Sequence, residues 1–192
     1  FRFDFSSVTA RKNAVVEQLR GGVEGLLGHK NITLVRGKAS FKDQHTVVCD
    51  GVEHTAEHII IATGSVSASL PIPGADLPGI LTSKEILDVE EVPQKLCVIG
   101  GGVIGLEFAS VFRSFGSEVT VLEYCKDILP RFDTDLAKRL KQSLGKRGIE
   151  ICTQAQVTAI SSVFPNEVEE SASYSVTYLR KGKEETVVAD KV

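Results

Sequence analysis

The chain has 192 residues, 42% hydrophobic and 24% charged, with a formal net charge of −3. That balance suits one large folded domain or two small ones. It excludes a basic nucleic-acid surface, and the apolar runs are too short to span a membrane. No charged-then-apolar leader precedes the first element. The charged runs at 11–12 and 181–185 read as solvated faces. Cys49, Cys97, Cys125 and Cys152 are far apart and three lie in or beside apolar runs, which fits reduced thiols in a cytoplasmic protein better than a structural disulfide. The four histidines lack metal-ligand spacing with one another or with the cysteines. Methionine is absent and the chain opens on Phe1-Arg2-Phe3-Asp4-Phe5, so it is expected to be an internal piece of something longer.

In chain order, residues 6–27 predict a helix, with Ser7 or Thr9 as cap, Val15, Leu19, Val23 and Leu26 on one face, and Gly28 as stop. Gly21, Gly22 and Gly25 lower its intrinsic propensity, so docking of the apolar face is expected to hold its second half. Strands are predicted at 31–35 and 46–49. Asp50-Gly51 then signals a hairpin turn into a strand at 52–55. Residues 57–61 run on into Ala62-Thr63-Gly64-Ser65, and Ile59-Ile60-Ile61, apolar on both faces, is expected inside a covered sheet. The stretch 66–79, with Pro71, Pro73 and Pro78, reads as a linker, and Ser83 as the cap of a short helix reaching Leu87.

The next segment carries the chemistry. An apolar strand at 96–99 meets Gly100-Gly101-Gly102-Val103-Ile104-Gly105-Leu106-Glu107, and Phe108, Val111, Phe112 and Phe115 continue at helical spacing. Gly100 permits the tight turn, Gly102 lets backbone approach a diphosphate, and Gly105 lets the helix pack on the strand. The unpaired amides of the helix start would meet the phosphates. A second strand, 117–122, ends on Glu123, 18 positions after Gly105, the place for a carboxylate that binds both ribose hydroxyls and repels a 2′-phosphate. NAD is therefore favoured over NADP. The plain alternative is a glycine-rich strand-to-helix turn that binds nothing. Asp133 then caps a helix with Leu136, Leu140 and Leu144 on one face, ending at Gly148. A third parallel strand at 148–152 and an antiparallel meander at 157–163, 174–179 and 186–188 complete the chain. The fold class is α/β, a Rossmann-like NAD-binding domain of parallel sheet plus β-meander. A weak repeat relates Thr55-Ala56-Glu57-His58-Ile59 to Val188-Ala189-Asp190-Lys191-Val192, and if it marks a true duplication, two related, incomplete domains are expected to follow one another.

The linked motifs Arg36-Gly37-Lys38-Ala39-Ser40-Phe41, Ile61-Ala62-Thr63-Gly64-Ser65, Leu70-Pro71-Ile72-Pro73-Gly74, the glycine turn and Ile128-Leu129-Pro130-Arg131-Phe132-Asp133 resemble the pyridine nucleotide–disulfide oxidoreductases, most of all their dihydrolipoamide-oxidising branch. The resemblance covers essentially every position. It implies electron transfer from a dithiol through a redox disulfide and FAD to NAD, in a homodimer that can belong to a 2-oxo acid dehydrogenase complex. It places residues 1–82 as the C-terminal part of an incomplete FAD-binding domain with linker, and 83–192 as an NAD-binding domain lacking its last strand. By the same resemblance Ala39 lies beside the FAD adenine and Thr63, Gly64 and Ser65 line the flavin cofactor. Residues 100–107 and Glu123 hold NAD, with Glu107 between nicotinamide and flavin and Val157 at the adenosine end.

The NADP-using glutathione-reductase branch resembles the chain less. Tyr124 and Pro130 stand where that branch has arginines, and Val103 where it tends to have a tyrosine. This sequence shows no first glycine fingerprint, no C-x-x-x-x-C pair and no match to the family's catalytic base. The chain alone is therefore expected to be inactive, free of flavin and prone to self-association. The other readings are a non-catalytic NAD-binding module and a different flavin disulfide reductase, such as an NADH oxidase or a mercuric or glutathione reductase.

Overall fold

A computed structural model describes residues 4–163 and 173–192; the Phe1-Arg2-Phe3 opening lies outside them. The chain forms two compact units, Ala10–Val66 and Ser67–Val192, the second including residues up to Thr9.

The first helix, α1 (Phe5–Leu27), starts one residue earlier than predicted. Its cap is Asp4, whose carboxylate accepts the Ser6 N–H at 3.1 Å and the Ser6 and Ser7 hydroxyls. Those bonds, the Ser7 hydroxyl first, hold the Asp4 carboxyl below its usual range. The expected docking of its apolar face is absent: Val15, Leu19, Val23 and Leu26 are exposed.

The Ala10–Val66 unit contains a three-stranded antiparallel sheet, β1 (Ala39–Phe41), β2 (Thr46–Cys49) and β3 (Val52–Thr55). Asp50 and Gly51 both take positive φ between paired Cys49 and Val52, as the predicted two-residue hairpin demands. Two predicted strands are not formed. Residues 31–35 carry no ladder, and the third strand is β1 instead. Residues 57–61 are likewise unpaired, with Ile60 88% exposed. A strand buried on both faces needs flanking strands, and none among the described residues pairs with it. Only Thr46 and Cys49 are buried in this unit.

The larger unit is built on a parallel sheet, β4 (Lys95–Ile99), β5 (Glu118–Glu123) and β6 (Ile149–Thr153), in that spatial order. α2 (Val103–Phe115) and α3 (Thr134–Lys146) make the crossovers. Successive side chains point to opposite faces of a strand. Leu96, Val119, Val121 and Ile149 therefore meet Leu106, Ala109, Phe112, Ala137 and Leu144 in one core. Cys97, Leu122 and Cys152 face the other way, onto an antiparallel meander of β7 (Ala155–Val163), β8 (Ser173–Arg180) and β9 (Lys183–Ala189). The result is three layers, helices, parallel sheet and meander, as the sequence implies. Phe5 at the start of α1 stacks edge-on to Phe115 at 5.4 Å.

The stretch read as a linker is more than a tether. Ile72, Leu77 and Ile80 pack on the meander core and Ile160 N–H donates to the Pro73 carbonyl at 2.9 Å. The short helix after it is a 3₁₀ turn, Glu85–Asp88, and Thr82 rather than Ser83 organises its start. The Glu85 carboxylate accepts both the N–H and the hydroxyl of Thr82. Asp133 caps α3 as predicted, accepting the Asp135 N–H at 2.9 Å, although Leu136 stays exposed and Ala137 and Leu144 are the buried contacts.

At its end the chain returns to β4. Lys191 bridges Leu96 in parallel, and Cys97 N–H donates to the Lys191 carbonyl at 3.0 Å. The sheet thus extends to both sides of β4, which makes the carboxyl end of that strand a topological switch point, where open α/β sheets bind ligands.

Candidate nucleotide site

The turn after β4 opens with Gly100 at φ +114°, a conformation side chains rarely adopt, its N–H donating to the Leu122 carbonyl at 2.8 Å. Gly102 is the N-cap of α2 and offers no side-chain cap, unlike Asp133 before α3. The amides of the first turn therefore face outward without a capping partner, with the positive end of the helix dipole behind them. A Cβ on Gly102 would meet no atom within 4 Å, so the backbone there borders open space, as a cradle for a diphosphate requires. A Cβ on Gly105 would lie 2.3 Å from the Gly100 carbonyl oxygen and 3.0 Å from Val98, the close helix-to-strand approach expected of this glycine.

Gly101 plays a different part. It is buried, and its N–H donates to Glu123 Oε2 at 2.5 Å instead of being presented outward. The other Glu123 oxygen accepts the Cys125 N–H at 2.6 Å. Glu123 is 6% exposed, so both bonds are charge-assisted in a largely dry place. The predicted ribose carboxylate and the glycine turn are thus brought together, and with two main-chain N–H groups and the Cys125 S–H bonded to it, the Glu123 carboxylate keeps one lone-pair site for a hydroxyl.

Val103 and Ile104 are exposed at the helix start, as is Glu107, whereas the Leu106 side chain lies in the core beneath the turn. A cavity of about 640 Å³ opens at the carboxyl end of β4, lined by Gly100, Gly102, Val103, Ile104 and Phe108 among others. That volume is within the range of ligand-sized clefts. Ser67, Ser69, Thr82 and Ser83 also line the cavity, and sequence reasoning missed them, reading 66–79 as a linker and Ser83 only as a helix cap. Val157 is half-buried on β7, pairs with Tyr178 and does not line the cavity.

The flavin candidates lie in the smaller unit. Ala39 is exposed and pairs with Cys49, and Thr63, Gly64 and Ser65 form an exposed irregular segment with Gly64 at φ +75°. No glycine turn at a helix start stands beside them among the described residues of that unit, so these residues alone give an FAD diphosphate no cradle.

All four cysteines are free thiols. Cys97 is fully buried, and burial pushes its thiol up to about 12. Cys152 is also raised, chiefly by burial, and Cys125 by its S–H bond to the Glu123 carboxylate. Two results follow. Iodoacetamide at pH 8 will label Cys125 before the other three, as peptide mass mapping will show, because Cys125 alone among them is not buried, although its bond to Glu123 slows the reaction. Cys97 ionises above its ordinary value of 9.0 only once unfolded, so its contribution to stability is fully present below about pH 9 and is lost as pH rises toward 12. Denaturant midpoints measured across that window will fall.

Residues 3–192 match the family described as pyridine nucleotide-disulphide oxidoreductase. The chain is 38% identical to the dihydrolipoyl dehydrogenase of Acholeplasma laidlawii, the alignment covering 99% of this chain and 54% of that protein. It is 38% identical to the dihydrolipoyl dehydrogenase of Staphylococcus aureus, over 98% of this chain and 40% of that one. Among solved structures it resembles the HOCl-induced flavoprotein disulfide reductase RclA from Escherichia coli, with a TM-score of 0.81 and 34% identity over 98% of this chain and 42% of that chain. The chain therefore spans about half, or less, of the length of these relatives.

Proposed function

We propose, because the chain belongs to the pyridine nucleotide-disulphide oxidoreductase family, that it is the nucleotide-binding portion of an enzyme that oxidises dihydrolipoamide and reduces NAD. The observation that carries this is the uncapped start of α2 facing open space at Gly102, with buried Glu123 bonded to the same turn. The α2 amides and Gly102 would hold the diphosphate, Glu123 the ribose, and Val103, Ile104 and Glu107 would border the nicotinamide. Bound there, NAD supplies a hydride-accepting ring. This chain's part is to place it and to select against a 2′-phosphate.

Residues 1–82 then belong to the flavin domain, with Ala39 and Thr63, Gly64 and Ser65 toward FAD and Val157 toward the adenosine of NAD. The redox disulfide, the catalytic base, the homodimer contacts and any place in a 2-oxo acid dehydrogenase complex fall to the rest of the enzyme. A different flavin disulfide reductase is the second reading, favoured by the likeness to RclA.

Calorimetric titration tests the site. One NAD should bind per chain, with NADP at least roughly tenfold weaker, a gap of about 1.4 kcal/mol. NADP binding tighter than NAD would overturn the assignment of Glu123.

A further inference from the structure

The peptide of Gly101 is held from both sides. Its N–H donates to Glu123 at 2.5 Å, and its carbonyl accepts the Leu129 N–H at 3.0 Å. Leu129 reaches that position at φ +49°, a left-handed conformation that leucine rarely takes. Beside it Ile128, 1% exposed, closes over the glycine: a Cβ on Gly101 would lie 2.9 Å from Ile128 Cγ2. The loop carrying them is itself tied down. Cys125 N–H donates to Glu123, the Cys125 carbonyl accepts the Gln154 N–H at 2.9 Å, and the Leu129 carbonyl accepts the Phe132 N–H at 2.9 Å. A continuous hydrogen-bonded path therefore runs from the β6–β7 junction to the middle of the glycine turn.

We propose that Ile128 is a positioning residue for dinucleotide binding: packed on Gly101, it keeps Leu129 N–H and Glu123 closed on that peptide, which fixes the turn before any nucleotide arrives. This rests on the NAD reading of the site and deepens it. A turn already in its binding conformation loses less freedom on binding, so affinity depends on a side chain in the core. Ile128 faces Gly101 rather than the ribose, so it sets the strength of binding and leaves the choice between NAD and NADP to Glu123.

The test compares Ile128→Ala, Ile128→Val and a control core truncation, Leu144→Ala, in the full chain, well below each unfolding midpoint. Leu144 is buried in the same core but sits on α3. Ile128→Ala should weaken NAD roughly tenfold, equivalent to about 1.4 kcal/mol, with the NAD-to-NADP ratio unchanged. Ile128→Val, lacking one methyl, should lose only about twofold, and it carries the comparison if the alanine variant does not fold. Leu144→Ala should bind NAD as the parent does. Nitrogen–proton spectra of the nucleotide-free protein should show the Gly101 amide displaced, and exchanging faster, in Ile128→Ala alone. Unchanged NAD affinity in the Ile128 variants, or an equal loss in Leu144→Ala, overturns the proposal. A parent chain that binds no NAD while its Gly101 amide stays protected overturns the nucleotide reading itself, a distinct result.

Discussion

Gly105→Ala will lower both the stability of the larger unit and its affinity for NAD, and by more than any other single methyl group added to the turn. The new Cβ would sit 2.3 Å from the Gly100 carbonyl oxygen, a backbone atom at the end of a parallel strand that cannot swing away. α2 must then lift off β4, which opens the packing of Leu106, Ala109 and Phe112 on Leu96 and Val121. Overpacking of this kind costs about 3 kcal/mol, and for a unit of this size that lowers the thermal midpoint by about 10 °C. The lifted helix also carries its N-terminal amides out of register with the cradle, so NAD should bind roughly a hundredfold more weakly. Gly102→Ala is the informative companion. Its φ of −77° suits any residue and its Cβ touches nothing. The thermal midpoint should fall only slightly, since alanine is a poorer N-cap than glycine, while on the proposed reading the methyl enters the space of the diphosphate and binding falls. If Gly102→Ala bound NAD as well as the parent does, the diphosphate would not lie there.

Glu123→Gln comes next in size, and its two effects can be read separately. The amide can accept only one of the two main-chain bonds, so either the Gly101 or the Cys125 N–H is left facing another N–H. Losing a charged acceptor and stranding a buried donor costs about 2–3 kcal/mol of stability. NAD affinity should fall with it, through the weaker ribose bonds and the loosened turn. Removing the carboxylate also removes the repulsion felt by a 2′-phosphate, so the preference for NAD over NADP should shrink by roughly tenfold or more. Parallel titrations with the two nucleotides check this. Lost stability with an unchanged nucleotide ratio would make Glu123 a brace for the turn and nothing more.

The parts of the fold that could be read in advance are those whose instructions are local. β4, the glycine turn, α2 and β5 announce themselves because each side chain's partner lies within one crossover, and Asp133 announces α3 because a cap is satisfied two or three residues on. The failures share the opposite cause. Residues 31–35 and 57–61 have the β-branched composition of strands, yet a strand exists through its neighbours, and Ile60 and Ile61 find none. The cap of α1 went to Asp4 instead of the serine or threonine after it, and Ser83 caps nothing because Thr82 and Glu85 bond each other across the start of the 3₁₀ turn. Within the candidate site, the spacing did foretell that Gly100, Gly102 and Gly105 form one turn with Glu123 beside it. The inward role of Gly101 was not, since it depends on Ile128 and Leu129 arriving from a loop some 27 positions away.

The return of the chain to β4 also has a kinetic meaning. Lys95 N–H donates to the Asp190 carboxylate at 2.8 Å, and the Asp190 N–H donates back to the Lys95 carbonyl at 2.9 Å, a pairing across 95 residues. The β4–α2–β5 crossover closes a loop of a few tens of residues, whereas this clasp must wait until α3, β6 and the whole meander have been threaded past it. Loop-closure entropy grows with that separation, and topologies rich in such distant pairs fold slowly. The glycine turn after β4 can therefore assemble early, while the outer edge of β4 stays open until residues 190–192 have been made and zip onto it.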